Sequence, residues 1–331
     1  MPDKRRLPTA GTLTVQTGLD RPDIVVICGP SAVGKSAAAV EFARRAGGEI
    51  VSCDAMQVYK EIRIASDKPS IGMLEAVPHH LLDVVSVEEE FNVARYRELA
   101  LQAIQDIRRR GQLPVICGGS GMYLMALMDG IFTGGEVPPD VRERVEEEVD
   151  RTGLAAAHDR LQEVDPESAA RIRPGDRQRI VRALEVFEGT GRPISTLQKN
   201  RDGLWGKADI RICALERPRE ELYARVERRV EEMFSCGLVE EVQAVLGLRL
   251  TASAARLIGI PEVAGCLAGR YDLAQAKYLL KRNTRRYVKR QLTWFRRDQR
   301  LRWLKVARDE SPTQTAEKIS GFLASALSNQ V

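Results

Sequence analysis

The segment 29–36, which reads GPSAVGKS, constrains the fold of this chain more than any other stretch. It fits the pattern G-x-x-x-x-G-K-[ST] of a phosphate-binding loop. An apolar run over residues 24–28 precedes the segment, and a helix-compatible run over residues 37–46 follows it. Because strand, loop and helix in this order are the context in which the pattern binds phosphate, the segment predicts the first βα unit of a parallel α/β sheet.

The residue types of this loop predict a polyphosphate ligand without identifying it. Backbone N–H groups at a helix N-terminus attract an anion, Lys35 adds a point charge, and the Ser36 hydroxyl is a candidate ligand for Mg²⁺. A chance match in a glycine-containing loop is the alternative, and the two flanking elements argue against it. The predicted diphosphate-binding residues are Gly29, Pro30, Ser31, Ala32, Val33, Gly34, Lys35 and Ser36.

Composition indicates a globular protein with a full core. The chain has 331 residues, of which 44% are hydrophobic and 29% are charged. No apolar run approaches the roughly 20 residues that a membrane span needs, so we expect no membrane partner. Residues 1–22 begin with basic residues but lack an apolar stretch behind them, and we expect a disordered tail rather than a secretory signal.

The six cysteines contain no C-x-x-C pair, which argues against a cysteine zinc site. Four of them lie in or beside apolar strand-like runs, where a free thiol packs as a small hydrophobic group. These are Cys28, Cys53, Cys117 and Cys213. This usage suits a reducing compartment, so we expect a cytoplasmic protein, and we expect it to be a monomer.

Two polar residues follow predicted strands of the sheet. Asp54 ends a second strand, and Ser120 follows a fourth strand over residues 113–117. Since ligands bind at the carboxyl ends of parallel strands, Asp54 should lie beside the phosphate loop if their strands are neighbours. The alternative for either residue is helix N-capping. Residues 81–85 are predicted to be the third strand. The histidine pair 79–80 at its entrance is interpreted as structural, and titration near neutral pH is the alternative.

The region 132–205 changes in character. Glycines and prolines open it, and three helix-forming runs follow over residues 141–150, 154–164 and 176–188, with no strand-like run. We therefore predict an α/β core over residues 23–131 and 206–310, a P-loop NTPase-like parallel sheet flanked by helices. An all-helical insertion domain would occupy 132–205, and a C-terminal helix or tail would occupy 311–331.

Two further helices carry arginines that suggest phosphate contacts. A predicted helix over residues 219–234 contains Arg225, which could reach a diphosphate. The run 281–302 holds ten Lys or Arg against one acid, and we predict that it is helical with a basic stripe. Such a stripe is typical of a surface that binds a nucleic-acid backbone. A solvated helix whose aromatic residues face the core is the alternative.

These segments, in this order, resemble the bacterial tRNA dimethylallyltransferase family over residues 24–303. The segment TRRYVKRQLTWFR at 284–296 is the most specific. The other matching segments are 29–36, 54–60, 66–69, 78–80, 118–123, 182–186 and 258–262. The resemblance implies transfer of a dimethylallyl group from dimethylallyl diphosphate to N6 of adenine 37, in tRNAs that read codons beginning with U.

The resemblance also implies roles for individual residues. Asp54 matches the family's general base, Ser120 matches a threonine beside it, and Arg225 would stabilise the diphosphate with Mg²⁺ at Ser36. The helical insertion would hold the anticodon arm. The matching tRNA-binding positions are Asp54, Ala55, Met56, Gln57, Ser120, Arg142, Gln178, Arg179, Ile180, Val181, Arg182, Arg256, Gly259, Arg286, Lys289 and Arg290.

The sequence departs from the family pattern at a few positions. Ser120 replaces threonine, Ala55 replaces serine, Asp67 replaces alanine, and residues 260–261 read Ile-Pro instead of Tyr-Lys. The residues 259–262 also resemble enzymes that prenylate free adenylate, which makes free adenylate a second candidate substrate. A P-loop nucleotide kinase and a non-catalytic RNA-binding module are two further functions compatible with these motifs.

Overall fold

The computed structural model describes residues 21–132 and 134–325. Six strands form one sheet in the order β3-β2-β4-β1-β5-β6, and every neighbouring pair is parallel. The strands are β1 (Ile24–Cys28), β2 (Gly48–Cys53), β3 (His79–His80), β4 (Leu113–Gly118), β5 (Ile210–Glu216) and β6 (Arg302–Lys305). The predicted α/β class and parallel sheet are confirmed.

Fourteen α-helices and one 3₁₀ turn (Ala254–Arg256) accompany these strands within the described residues. They are α1 (Lys35–Ala46), α2 (Ile71–Ala76), α3 (Val93–Arg109), α4 (Gly121–Met128), α5 (Pro139–Thr152), α6 (Leu154–Val164), α7 (Pro166–Arg171), α8 (Arg177–Thr190), α9 (Ile194–Leu197), α10 (Arg219–Ser235), α11 (Leu238–Leu246), α12 (Ile260–Leu267), α13 (Leu273–Phe295) and α14 (Pro312–Ala324).

The central strands are buried on both faces. Every residue of β1, β2 and β4 is buried, as expected for a parallel sheet with helices on each side. Val25 and Ile27 of β1 share one core cluster with Phe42 of α1, Val226 of α10 and Ile319 of α14. This packing fixes the carboxyl ends of the strands, which carry the loops discussed below.

The chain divides into two compact units, described here separately. The α/β unit comprises the described residues of 21–124 and 206–325, and the other unit comprises residues 125–205. The second unit has its own core, which includes Val145, Leu161, Ile180 and Leu184. Its helices begin or end within two residues of the three predicted runs, and it holds two further short helices, α7 and α9, that the sequence did not reveal. Its first residue lies seven positions before the expected boundary at 132.

Two strand predictions are wrong in position or missing. Residues 81–85 are not a strand, because Leu81 and Asp83 have φ angles of 63° and 55°. The third strand is instead the histidine pair of β3, which lies just before this segment. Strand β6 was not predicted, since its sequence RWLK is basic and short.

The basic helix also differs from its prediction. Helix α13 ends at Phe295, so Arg296 and Arg297 do not continue it, and Arg302 begins β6. The predicted tail at residues 1–22 lies outside the described residues except for its last two positions. None of the described helices is long and apolar enough to cross a membrane.

Candidate active site

The phosphate loop joins β1 to α1, as the sequence predicted. Gly34 is the N-cap of α1, whose first N–H groups have no partner within the helix. Gly29 approaches strand β5 so closely that a Cβ atom there would lie 2.7 Å from the Leu215 carbonyl oxygen. The Lys35 ammonium donates to the Pro30 carbonyl oxygen at 3.4 Å. The loop therefore has the shape and polarity of an anion cradle.

Two arginines donate to backbone carbonyl groups of this loop. The Nε of Arg225 donates to the Ala32 carbonyl oxygen at 2.7 Å, and the Nε of Arg217 donates to the Val33 carbonyl oxygen at 2.9 Å. Burial lowers the pKa of Arg225, and the neighbouring charge of Arg217 lowers it further. Arg225 also lines the cavity beside the loop, and its positive charge favours an anionic ligand there.

Asp54 follows β2 and is fixed by its own backbone. Its Oδ1 atom accepts the Met56 N–H at 2.9 Å, which leaves the second carboxylate oxygen to other partners. Asp54 caps a turn over residues 55–58. It does not cap a helix, which was the alternative that the sequence left open. Strand β4 separates β2 from β1, so the condition that the two strands are neighbours is not met, although Asp54 and Lys35 still line one cavity.

Ser120 lies after β4 and is tied to the Asp54 loop. Its hydroxyl oxygen accepts the Ala55 N–H at 3.0 Å, and its own N–H donates to the Cys53 carbonyl oxygen at 3.1 Å. Ser120 is buried, with 8% of its surface exposed. The structure thus brings together the two strand ends that the sequence singled out.

Tyr287 of α13 is a site residue that the sequence argument did not identify. It lines the same cavity as Asp54. Burial raises the pKa of Tyr287 to about 12, the Asp54 charge adds to this, and a hydrogen bond between the Tyr287 and Ser120 side chains opposes it. The signal was present as an aromatic residue within the basic run.

Lys35, Asp54, Arg225 and Tyr287 line one cavity of about 260 Å³ in the α/β unit. Its polar wall contains residues of the phosphate loop, α10 and the Asp54 loop. They are Gly34, Lys35, Ser36, Asp54, Gln57, Asp67, Arg225 and Arg229. Its apolar side chains come from other segments and include Met73, Val230, Met233, Ile258 and Leu280. One cavity therefore offers an anion site, a carboxylate and an apolar wall.

A second carboxylate, Asp67, lies on the wall of this cavity. It pairs with Arg229 of α10, with 2.9 Å between the Asp67 Oδ2 and an Arg229 terminal nitrogen. Half of the Asp67 side chain is exposed. Nearby, the Glu241 carboxylate accepts the N–H groups of Arg63, Ile64 and Ala65 at 2.7–2.9 Å, and so fixes the segment that carries Asp67.

The oxygen atoms that line this cavity fit a Mg²⁺ ion held jointly by the protein and a bound phosphate better than a metal held by protein ligands alone. No cluster of three or more His, Cys, Asp or Glu that could hold a metal occurs in residues 21–132 or 134–325. Ser36 and the two aspartates supply oxygen atoms, which are the ligands that Mg²⁺ prefers. Mg²⁺ commonly keeps several waters and binds through one or two side chains plus substrate phosphates.

Some cations of helix α13 pair with carboxylates, and others do not. The second group is called the free face below. Lys277 and Lys281 pair with Glu231 of α10, and Arg285 pairs with Glu227. Arg286, Lys289 and Arg290 are exposed, and none has a carboxylate partner among the described side chains. Arg285 therefore does not belong to the free part of the predicted basic stripe.

The other predicted tRNA-binding residues of the α/β unit differ in exposure and in internal hydrogen bonding. Arg256 is exposed, whereas Gly259 is buried and donates its N–H to Glu262. The Gln57 side chain binds internally, because its Oε1 accepts the Ser52 hydroxyl and its Nε2 donates to the Asp67 carbonyl oxygen. Ala55 and Met56 are partly exposed at the Asp54 loop.

In the helical unit, the predicted residues divide by exposure. Gln178 and Arg179 are exposed at the start of α8, whereas Ile180 and Val181 are buried in the core of the unit. Their side chains are therefore inaccessible in this structure, and the tRNA contact at these two positions stays a prediction. The remaining pair, Arg142 and Arg182, flanks the buried Glu185 carboxylate at 3.5 and 3.3 Å.

Comparisons with known proteins agree with this architecture. Residues 57–298 match the family described as IPP transferase. The chain is 42% identical over 301 residues to the tRNA dimethylallyltransferase of Geobacter sulfurreducens. This alignment covers 90% of this chain and 97% of the relative. It is 43% identical over 317 residues to the tRNA dimethylallyltransferase of Moorella thermoacetica, covering 93% and 96%.

Solved structures of similar proteins cover most of the chain. The full-length tRNA isopentenylpyrophosphate transferase of Bacillus halodurans is 35% identical, with a TM-score of 0.66, over 94% of this chain and all of that one. A eukaryotic dimethylallyltransferase acting on tRNA is 26% identical, with a TM-score of 0.80, over 93% of this chain and 80% of that one. The length and identity of these matches establish that this chain belongs to the IPP transferase family.

Proposed function

We propose that this chain transfers a dimethylallyl group from dimethylallyl diphosphate to N6 of adenine 37 in tRNA. The products are N6-dimethylallyladenosine and diphosphate. The observation that carries the proposal is the single cavity that Lys35, Asp54 and the apolar side chains of α10 and α13 share. An anion site and a carboxylate beside an apolar wall suit an allylic diphosphate and a base that takes a proton from its acceptor.

The donor would bind with its two chemically different ends on different walls. Its diphosphate would lie on the phosphate loop, against Lys35 and the loop N–H groups, with Arg225 on the adjoining wall of the cavity. Its five-carbon group would lie against Val230, Met233 and Leu280, where contact with apolar side chains removes it from water. A nucleotide would gain little from this apolar wall, which disfavours a kinase.

Mg²⁺ is proposed to bind with the donor, held by the Ser36 hydroxyl and by oxygen atoms of the diphosphate. When bound, it would neutralise part of the negative charge that develops on the departing diphosphate. Lys35 and Arg225 of this chain would stabilise the same charge from fixed positions.

The transfer makes one bond and breaks another. The adenine N6 atom attacks C1 of the donor, the C1–O bond breaks with its electron pair leaving on diphosphate, and one N6 proton passes to Asp54. The Met56 N–H holds Oδ1 of Asp54, so that Oδ2 is the oxygen proposed to accept the proton. The target base must leave its stack to reach this cavity, as base-modifying enzymes require.

The free basic face of α13 is the surface that best suits the tRNA backbone. Arg286, Lys289 and Arg290 are exposed there and have no carboxylate partner among the described residues. In the helical unit, Arg142 and Arg182 would present their guanidinium groups to RNA from the sides of Glu185, with Gln178 and Arg179 nearby in sequence. Phosphate contacts of this kind position the RNA without reading its sequence.

The test is incubation with dimethylallyl diphosphate, Mg²⁺ and an unmodified tRNA that reads codons beginning with U. Nucleoside analysis should reveal N6-dimethylallyladenosine in the tRNA and little prenylated AMP in a parallel reaction. Efficient prenylation of AMP without modification of tRNA would overturn the proposal in favour of a free adenylate substrate. Transfer of the ATP γ-phosphate to an acceptor would overturn it in favour of a kinase.

A further inference from the structure

Gln291 of α13 bridges two loops that are distant in the chain. Its Oε1 accepts the Ser31 N–H at 2.8 Å, and its Nε2 donates to the Gly119 carbonyl oxygen at 2.9 Å. The side chain is buried, with 5% of the residue exposed. Gln291 does not itself line the cavity, so it contacts the framework of the site and not a substrate.

The two loops that Gln291 joins carry the two halves of the proposed chemistry. Ser31 belongs to the phosphate loop, and Gly119 precedes Ser120, whose hydroxyl holds the N–H of Ala55 beside Asp54. A continuous path of covalent and hydrogen bonds therefore runs from the diphosphate cradle through Gln291 to the carboxylate. Strand β4 pairs with both β1 and β2, so the sheet places the three strand ends, and Gln291 ties together the loops that follow two of them.

The geometry around Gln291 demands an amide of this length. One end faces a donor and the other faces an acceptor, and the amide of Asn or Gln offers a neutral carbonyl acceptor and an NH₂ donor side by side on one planar group. The approach to Gly119 is so close that a Cβ atom there would lie 2.5 Å from the Gln291 Nε2. A carboxylate at 291 would place a charged oxygen against the Gly119 carbonyl oxygen unless it were protonated.

We propose that Gln291 is a positioning residue that sets the separation between the diphosphate cradle and the Asp54 base. This inference rests on the proposed transfer reaction. Loss of the bridge should leave each substrate able to bind its own half of the site. The transfer step should slow, because a misplacement of about 1 Å can reduce a rate by about 100-fold.

The first experiment measures folding, binding and chemistry separately in Gln291→Met, which keeps the length of the side chain but removes both hydrogen bonds. Gln275→Met is the matched control, since Gln275 is exposed on the same helix. We expect binding of dimethylallyl diphosphate and tRNA to change less than about threefold, and the single-turnover transfer rate to fall about 100-fold. The control should match the wild type in all three measurements.

A second variant distinguishes positioning from a loss of folding. In Gln291→Glu, a protonated carboxyl can accept from Ser31 and donate to Gly119, whereas a carboxylate cannot. The transfer rate of this variant, divided by that of the wild type, should therefore rise as the pH falls. If Gln291 served only to stabilise the fold, the relative transfer rate of Gln291→Glu would not rise at low pH as long as the variant stays folded.

Three outcomes would overturn the inference. They are a wild-type transfer rate in Gln291→Met, a fall in that rate no larger than the fall in substrate affinity, or a Gln291→Glu rate that stays the same fraction of the wild-type rate at every pH while the variant is folded. If the wild type and Gln275→Met also fail to prenylate tRNA, the proposed function has failed instead. The two failures are therefore distinguishable in one set of assays.

Discussion

The Ala55 N–H donates to the Ser120 hydroxyl oxygen at 3.0 Å and so fastens the Asp54 loop to the end of β4. This contact gives Ser120 a role through backbone geometry in addition to any contact with a substrate. Replacing Ser120 with alanine would leave the Ala55 N–H without this acceptor, and a lost hydrogen bond of this kind costs about 0.5–1.5 kcal/mol.

We therefore expect Ser120→Ala to reduce kcat by about tenfold, the effect of about 1.4 kcal/mol on a barrier. Ser120→Thr should remain close to the wild type, because it keeps the hydroxyl oxygen. Steady-state prenylation of tRNA measures both variants. Equal activity of the alanine and threonine variants would contradict the role of the hydroxyl.

Asp54→Asn should abolish the transfer while leaving tRNA binding intact. The asparagine oxygen can still accept the Met56 N–H, so the loop should keep its shape, but the amide cannot take a proton from N6. Loss of a general base reduces rates by about 100- to 10,000-fold. Single-turnover rates and filter binding of tRNA test this expectation, and a normal transfer rate in Asp54→Asn would show that Asp54 is not the base.

Neutralising the free face of α13 should weaken tRNA binding and its dependence on salt. The variant is Arg286→Gln with Lys289→Gln and Arg290→Gln. The slope of log K against log salt should decrease by up to about three, near one for each phosphate contact. A titration of tRNA at several salt concentrations measures this slope.

The same helix provides the matched control for that experiment. Lys277, Lys281 and Arg285 carry the same total charge but already pair with Glu231 and Glu227. Their triple glutamine variant should change the slope much less. Equal slopes for the two triple variants would show that the free face is not the RNA surface.

Asp67→Asn should strengthen the binding of inorganic pyrophosphate. The Asp67 carboxylate lies on the cavity wall and pairs with Arg229. A diphosphate in the cavity would therefore be repelled by the Asp67 charge and would compete with Asp67 for the Arg229 guanidinium. Removing the charge should lower the dissociation constant severalfold, as measured by calorimetry. Asp309→Asn, at an exposed position, is the control, and an unchanged affinity in Asp67→Asn would contradict the expected repulsion.

His79 should make the stability of the protein depend on pH near neutrality. Burial lowers the pKa of His79 from its ordinary value of 6.5, although its Nδ1 lies 2.8 Å from the Val77 carbonyl oxygen. Below pH 6.5 the unfolded chain then binds more protons at this residue than the native protein does. The free energy of unfolding should therefore fall as the pH drops from 6.5 through the lowered pKa.

Urea unfolding at several pH values tests this sign. His79→Gln should lessen the fall in stability below pH 6.5, because glutamine does not titrate. His158→Gln in the helical unit serves as the control. An unchanged pH dependence in His79→Gln would mean that other groups are responsible.

Local patterns were sufficient to predict the phosphate loop, because strand, loop and helix are adjacent in sequence. The positions of Asp54 and Ser120 followed from the rule that strand ends meet at one edge of the sheet. The third strand was misplaced because apolar residues at 81–85 resemble a strand, whereas Leu81 and Asp83 adopt left-handed φ angles. Lys68 pairs with Asp83 and donates to the Tyr59 carbonyl oxygen, a tertiary arrangement that no short pattern encodes.

Residues whose role depends on distant partners were the ones that the sequence left out. Tyr287 and Gln291 are one helical turn apart on α13, but the basic residues around them dominate the pattern of that segment. Arg217 was likewise missed, because its partner in the phosphate loop lies 184 residues away. Arg285 could not be separated from Arg286 until Glu227 of α10 was seen to pair with it.

The span of the Gln291 bridge also bears on when the enzyme matures during synthesis. Ser31 and Gln291 are 260 residues apart, so nearly nine-tenths of the chain must leave the ribosome before the bridge can close. Contacts of such long sequence separation form late, after the cost of closing the intervening loop has been met. A nascent chain that stalls before α13 could form the phosphate loop yet still lack a competent catalytic centre.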